Sequence, residues 1–260
     1  MPGRIQSVER AAAVLRLLAA GPRGLGVGEV ARALRLPKGT VHGILQALQH
    51  VGFVEQDRAG GEYRLGATLL HLGTSYLDGN ELRTRALNRA DSLASRTRES
   101  VRIGAPHEGR VLVVHHVFRP DDSLQVLEVG ALLPAHACAL GKVLLAFDLR
   151  GAPALDELPL PRCTPRTRTT RADLTADLEL VRARGWATDV GELVDGEAGV
   201  AAPVRDDRGA VVGAVGLCGA VERVCAPDGT PRAALVSAVR DSARAISRTL
   251  GFTGFPPDRG

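Results

Sequence analysis

The sequence predicts an α+β chain: a winged helix-turn-helix at the N-terminus, one further helix, and a larger body that mixes strands with long helices. Three observations carry that prediction. Apolar positions in the first fifty residues recur at helical spacing in three short blocks, divided by Gly21-Pro22 and by Arg35-Leu36-Pro37. Two short alternating stretches then flank a Gly-Gly pair, the pattern of a β-hairpin. Beyond residue 80 or so, strand-like and helix-like stretches are interleaved rather than segregated.

The first helix has Ser7 as its expected cap and Val8, Ala11, Ala12, Leu15 and Leu18 on one face. Val27–Leu34 makes a second, with Val30, Ala31 and Leu34 turned inward, and Lys38–His50 a third, with Val41, Ile44, Leu45 and Leu48 inward. Two short helices about a tight turn form a helix-turn-helix, whose second helix reads base edges with its N-terminal end. Its outer face here would carry Lys38, Gly39, Thr40, His42, Gly43 and Gln46. Gln46 suits adenine, while Thr40 and Lys38 suit phosphate. The hairpin that follows is the expected wing, with Arg58 at its tip and Arg64 on its second strand as backbone clamps.

Charge placement agrees with a nucleic-acid-binding head. Residues 1–72 hold nine basic and five acidic side chains, and the remaining 188 residues hold 24 of each, so the whole +4 excess sits at the N-terminal end. The competing reading of this segment is a small protein-interaction module. Composition is that of a soluble globular chain, 45% hydrophobic and 24% charged, with no apolar run near the ~20 residues of a membrane span. The polar start MPGRIQSVER does not read as a signal peptide, so a cytoplasmic location is expected, with Cys138, Cys163, Cys218 and Cys225 as free thiols.

Ala67–Asp78 reads as a helix with a broad apolar face, followed by a helix at Glu81–Arg98. Strands are expected at Ser100–Ala105, Arg110–Phe118, Ser123–Val129, Gly199–Arg205 and Val211–Leu217. Helices are expected at Ala139–Phe147, Asp173–Arg184 and Pro231–Leu250, the last capped by Thr230 with Pro231 in its first turn.

The segments SVERAAAVLRLLA, GVGEVARALRLPKGTVHGILQALQHVGFVEQD and EYRLGATLLHLG, with LPAHACALGKVLLA and Gly185–Val224 downstream, resemble the IclR family of bacterial regulators over roughly residues 4–252. Within it, KGTVHGIL, VVHHVFRPDDS, QVLEVGA and GAVERVC are most similar to the branch that governs glycerol operons in actinobacteria, which resembles this chain in carrying glycine at Gly43 where the wider family has arginine. The resemblance implies a winged head over residues 1–66, a linker helix over 67–80 that pairs with its twin in a homodimer or dimer of dimers, a GAF-like effector-binding domain over 81–252, and a flexible tail over 253–260. It implies an operator-binding repressor of a catabolic operon, released by a small three-carbon effector such as glycerol 3-phosphate.

Carried over residue by residue, the family's effector pocket falls on Ala139, Leu140, Asp189, Gly199, Gly216 and Cys218. Gly199 stands where the family has cysteine or serine, and Gly216 replaces a common serine. Those glycines leave room and expose N–H groups that suit an oxyanion, and the start of the Ala139 helix adds more. No arginine in the set would hold a phosphate. Lys142 reads as a structural ion-pair or surface residue, and Arg162–Arg171 as an exposed basic loop. Asp189 suits a turn cap as well as a ligand contact. His115, His116, His136 and Cys138 do not fit a zinc spacing, and His115 and His116 on one strand would face opposite ways. No metal, cofactor or catalytic residue is expected. The alternatives are a constitutive DNA-binding protein whose second domain only oligomerises, and an enzyme carrying a DNA-binding head; no GxSxG, Walker loop or carboxylate pair supports the latter.

Overall fold

The computed structural model describes residues 5–21, 23–57, 61–147 and 157–254. The chain divides into two compact units, Met1–Gly79 and Asn80–Gly260.

The first unit contains α1 (Gln6–Ala20), α2 (Val27–Leu34), α3 (Lys38–His50), β1 (Val54–Gln56), β2 (Tyr63–Leu65) and α4 (Ala67–Asp78). Its core is Val14, Leu18, Val30, Ala31, Val41, Leu45, Leu48, Val54 and Tyr63. Arg35 ends α2 in the left-handed conformation, φ 53°, and the Leu36 N–H donates to Ala31 O at 3.0 Å. Pro37 then occupies the N-cap position of α3, where the missing N–H costs nothing. The antiparallel β1–β2 ribbon pairs Val54 with Leu65 and Gln56 with Tyr63, and Tyr63 also exchanges two 2.9 Å backbone bonds with Leu25. This is a winged helix-turn-helix; the wing tip, Arg58 included, lies outside the described residues.

The first helix differs from the sequence expectation. Ile5, not Ser7, occupies the N-cap position, because Ile5 O accepts from the N–H groups of Val8 and Glu9 and lengthens the helix backwards. Val8 is 63% exposed, and Val14, absent from the expected stripe, is fully buried. The small unit's buried core begins about two turns into the helix.

In the second unit, α5 (Glu81–Thr97) leads into β3 (Ser100–His107), β4 (Arg110–Val117), β5 (Leu132–Pro134) and α6 (Ala139–Phe147). Then come α7 (Arg171–Arg184), β6 (Ala187–Val190), β7 (Glu197–Arg205), β8 (Val211–Ala220), the short α8 (Val221–Val224) and α9 (Ala233–Thr249). The strands form one antiparallel sheet in the order β5-β4-β3-β8-β7-β6. Neighbouring β8 residues show that α5 and α6 cover opposite faces. A Cβ on Gly213 would strike Leu82 of α5, whereas Ala214 belongs to the core built by α6 and α7. The α6 core contains Leu140, Val143, Leu144, Leu174, Leu178, Val181 and Ala201.

Three expectations fail here. Ser123–Val129 alternates like a strand but is irregular, and β5 forms three residues later against β4. Local side-chain bonds outcompete the ladder. Gln125 Oε1 accepts from Arg119 N at 2.7 Å, its Nε2 donates to Arg119 O at 2.9 Å, and Asp121 Oδ1 accepts from Ser123 N at 3.0 Å. The last helix starts at Ala233 rather than Pro231. Asp228 Oδ1 accepts from both the N–H and the hydroxyl of Thr230, and Pro231 pairs with Cys225 as a bridge, so the chain stays extended through Arg232, which takes the N-cap position. Finally, α7 begins two residues before Asp173, capped by Thr170 Oγ1, which accepts from Asp173 N at 3.1 Å.

Candidate functional site

Two surfaces hold the residues singled out by sequence, one in each unit. On α3, Val41, Leu45 and Leu48 are buried, which turns Lys38, Gly39, His42, Gly43 and Gln46 to solvent and leaves Thr40 half-buried. The helix carries no acidic residue in its first turn, and Lys38 has no carboxylate partner among the described residues. Added Cβ atoms on Gly39 or Gly43 would meet nothing within 4 Å. Nothing in the unit's own packing therefore requires either glycine, although each costs about 1 kcal/mol of helix propensity. Arg64 on the wing is exposed but lies 3.7 Å from Glu55, so one carboxylate already offsets part of its charge.

In the second unit, register aligns two rows of residues across the sheet on its α6 face. One row runs Asp189, Gly199, Cys218, Ser100. The next runs Ala187, Ala201, Gly216, Arg102, His116. With Ala139 and Leu140 of α6, all six positions expected to form the effector pocket line one small cavity of about 20 Å³. At four residues, Arg102, Val194, Glu197 and Cys218, it adjoins a cleft of about 500 Å³ that is also lined by Ser100, His116, Gln125 and Glu128.

Two of the residues that line the inner cavity are bonded to each other. Asp189 Oδ2 accepts from Ala139 N at 2.8 Å, so this carboxylate already caps α6. Gly199 permits it, since a Cβ there would fall 2.7 Å from Asp189 Oδ2. Burial raises the Asp189 carboxyl to about 6, against the lowering effect of the Ala139 N–H and Lys142. The N–H group expected to receive an oxyanion is thus occupied, which corrects the view of this helix start as an open anion site. Gly199 makes room for the protein's own carboxylate, whereas a Cβ on Gly216 would strike Val200 O and Ala201. Burial holds the Cys218 thiol at about 11 and that of Cys138 at about 12, so neither supplies a thiolate at neutral pH.

Sequence reasoning missed Arg102 and His116. Arg102 is largely buried, ion-paired with Glu128, and placed where inner cavity and outer cleft meet. His116 Nδ1 accepts from Glu128 N at 3.2 Å, so its Nε2 carries the proton and donates to Ser100 Oγ at 2.7 Å; burial lowers its pKa and keeps it neutral. His115 faces away, toward the charges of Asp91 and Arg83 on α5. The available signal for Arg102 was an arginine between Val101 and Ile103 in an otherwise apolar strand. Placing it beside Gly216 needed the β3–β8 register.

Lys142 is fully buried, with Nζ 2.7 Å from Asp177, 2.6 Å from Glu192 and 3.1 Å from Thr188 O. This network ties α6 and α7 to the Gly191–Glu197 segment that rims both cavities. The Arg162–Arg171 stretch is only partly the exposed loop expected. Thr164 and Thr167 are buried and donate to Gly191 O and Glu192 O at 2.6 and 2.7 Å, locking the same rim, and Arg168 reaches Asp177 at 3.0 Å.

No helix among the described residues is long and apolar enough to cross a membrane. On α4 no residue is buried, and Leu70, Leu72 and Tyr76 are 75%, 49% and 55% exposed.

Comparison with known proteins assigns a family to each unit. The family described as IclR helix-turn-helix domain matches residues 7–58, and that described as bacterial transcriptional regulator IclR C-terminal matches residues 74–248. The chain is 55% identical to the glycerol operon regulatory proteins of Streptomyces griseus and Streptomyces coelicolor, over 98% of its own length and all of theirs. Among solved structures, it is similar to an IclR transcriptional regulator from Alicyclobacillus acidocaldarius, at TM-score 0.78 and 28% identity over 95% of this chain and 99% of that one. An IclR homolog from Microbacterium hydrocarbonoxydans complexed with 4-hydroxybenzoate gives TM-score 0.76 at 25% identity, over 94% and 99%.

Proposed function

The chain belongs to the IclR family of transcriptional regulators, and on that premise we propose that it represses a glycerol-utilisation operon and is released by a small three-carbon effector. The observation that carries the reading is the 55% identity, end to end, with two regulators named for glycerol operons. The operator is read by Lys38, Gly39, Thr40, His42, Gly43 and Gln46, with Arg64 and the wing tip at Arg58 on the phosphates. One winged head makes few contacts, so specificity comes from two heads on two half-sites. The uncovered apolar residues of α4 supply the pairing surface for a homodimer. In this reading the head spans 1–66, the linker 67–80 and the effector domain 81–252; the tail at 253–260 lies mostly outside the described residues.

The effector enters the 500 Å³ cleft and is read at the junction with the inner cavity, by Asp189 and Cys218 on one side and Arg102 on the other. Glycerol 3-phosphate has complementary ends: its hydroxyls suit the Asp189 acceptor, and its phosphate suits Arg102, the cation that the sequence-derived set lacked. Displacing Asp189 from Ala139 N would move α6, which is how binding at the sheet is converted into a shape change. The second reading, a constitutive DNA-binding protein, is favoured by one observation: the 20 Å³ inner cavity holds no three-carbon molecule unless it opens.

Fluorescence anisotropy of labelled DNA flanking the protein's own gene, titrated with the full chain, tests both. Glycerol 3-phosphate is expected to weaken binding by a factor in the range of roughly 5–150, the usual span of allosteric coupling, with glycerol weaker. Tight operator binding unmoved by either compound supports the constitutive reading, and no sequence-specific binding refutes both.

A further inference from the structure

The geometry points to a second anion site on the effector-binding unit, and we propose that it takes a compact, multiply charged phosphate compound. A cleft of about 260 Å³ between the end of α7, β7 and α9 is lined by Arg182, Arg184, Arg205, Arg240 and Arg244, with Phe147 at its wall. It shares no lining residue with the cleft or cavity described above, and no carboxylate lines it. The chain beyond residue 72 is neutral overall, so five guanidinium groups in one concavity are a local segregation of charge.

Arg244 lies 3.9 Å from Asp241 on its own helix, whereas Arg182, Arg184 and Arg205 are held by neutral groups. Arg182 Nε donates to Ala146 O at 2.9 Å, Arg184 Nε to Trp186 O at 2.7 Å, and Arg205 Nη1 to Gly209 O at 2.9 Å. Arg184 also stacks over Trp186 at 4.0 Å, and Arg205 lies over Phe147 at 5.3 Å. These contacts fix planes and leave the charge uncompensated. The Arg184 Nη2 is buried without a hydrogen-bond partner. The carboxylate it feels, Asp177, is already bonded to Lys142 and Arg168. The C-terminus of α7 accounts for Arg182 and Arg184 through the helix dipole. It does not account for Arg205 on β7, or for Arg240 and Arg244 on α9.

Planar guanidinium groups bind phosphate oxygens bidentately, and several together select more than one phosphate. The volume sets the size. At about 260 Å³ the cleft falls below the ~300 Å³ at which drug-sized pockets begin, so pyrophosphate or a small bisphosphorylated metabolite fits and a whole nucleotide does not.

The test is isothermal titration of the full chain with sodium pyrophosphate, inorganic phosphate and sulfate at matched ionic strength, alongside thermal melts. The expected result is saturable pyrophosphate binding at least tenfold tighter than either monomeric anion. Arg240→Gln should weaken it at least tenfold and Arg240→Lys less. Arg240 has no hydrogen bond or ion pair among the described residues, so the unliganded melting temperature should not move. Pyrophosphate binding no tighter than sulfate, or unchanged in Arg240→Gln, overturns the proposal. So does a uniform loss of affinity for all duplexes in Arg240→Gln without pyrophosphate binding, which would make the cleft a DNA-backbone contact. Operator release by glycerol compounds is scored separately and does not depend on this cleft.

Discussion

Gly43→Ala separates folding from recognition on α3. Gly43 sits in the interior of a thirteen-residue helix, and a methyl group there meets no atom within 4 Å. The substitution should therefore recover the helix-propensity difference of about 1 kcal/mol. For a unit of this size that raises the unfolding midpoint by roughly 4–8 °C. If α3 lies in the major groove, the same methyl stands between the helix backbone and the base edges, flanked by His42 and Gln46. Backing the helix off by a fraction of an ångström lengthens each base contact. The expected operator affinity falls at least tenfold, about 1.4 kcal/mol. Thermal melts by circular dichroism give the first quantity and anisotropy on operator DNA the second. A variant that is stabilised and binds DNA as well as its parent would refute close approach at Gly43. A variant that is not stabilised would refute the open space around it.

Leu70→Asp, at a position 75% exposed on α4, should leave the circular dichroism spectrum unchanged, yield monomers by sedimentation equilibrium where the parent is dimeric, and cost at least tenfold in operator binding; an unaltered dimer would exclude α4 as the pairing surface. Asp189 has its folded pKa raised from 3.8 to about 6, so between those values the folded state binds the extra proton and the group's stabilising contribution is lost as pH rises through about 6. Asp189→Asn, which keeps an acceptor for Ala139 N, should gain stability relative to its parent as pH rises from 4 to 7, by up to about 3 kcal/mol; a pH-independent difference in urea unfolding would contradict the burial of this charge. Lys142→Met strands the Asp177 and Glu192 carboxylates in the interior and should cost about 3–5 kcal/mol, with Glu192→Gln added to it restoring part of the loss; a neutral Lys142→Met would show that water reaches the network.

Local signals were enough for the first unit because its elements are short and close in sequence. The turn at Arg35-Leu36-Pro37 and the apolar spacing of Val41, Leu45 and Leu48 fix which face of α3 is wet, whatever the rest of the chain does. The missed details there are end effects: Ile5 takes the N-cap position because Ser7 lies inside a helix that starts early. In the second unit local signals misled wherever a competitor was also local, as when Gln125 and Asp121 bonded the backbone of a stretch that alternates like a strand. Asp189, Gly199 and Cys218 were assembled by resemblance, since no spacing along the chain brings them together.

The sequence by itself determined the polar helix face, the placement of all net positive charge at the N-terminal end, and the set of small residues on β7 and β8. Periodicity and composition are properties of the chain, and they survive folding. Only the tertiary structure decided what those small residues are for. The β6–β7 register puts the Asp189 carboxylate into the space left by Gly199, onto the N-terminus of α6. The β3–β8 register brings Arg102 beside Gly216. The first depends on seating α6, fifty residues upstream, against that hairpin and the second on pairing strands more than a hundred residues apart, and a shift of one residue in either register would send the side chains to the opposite face.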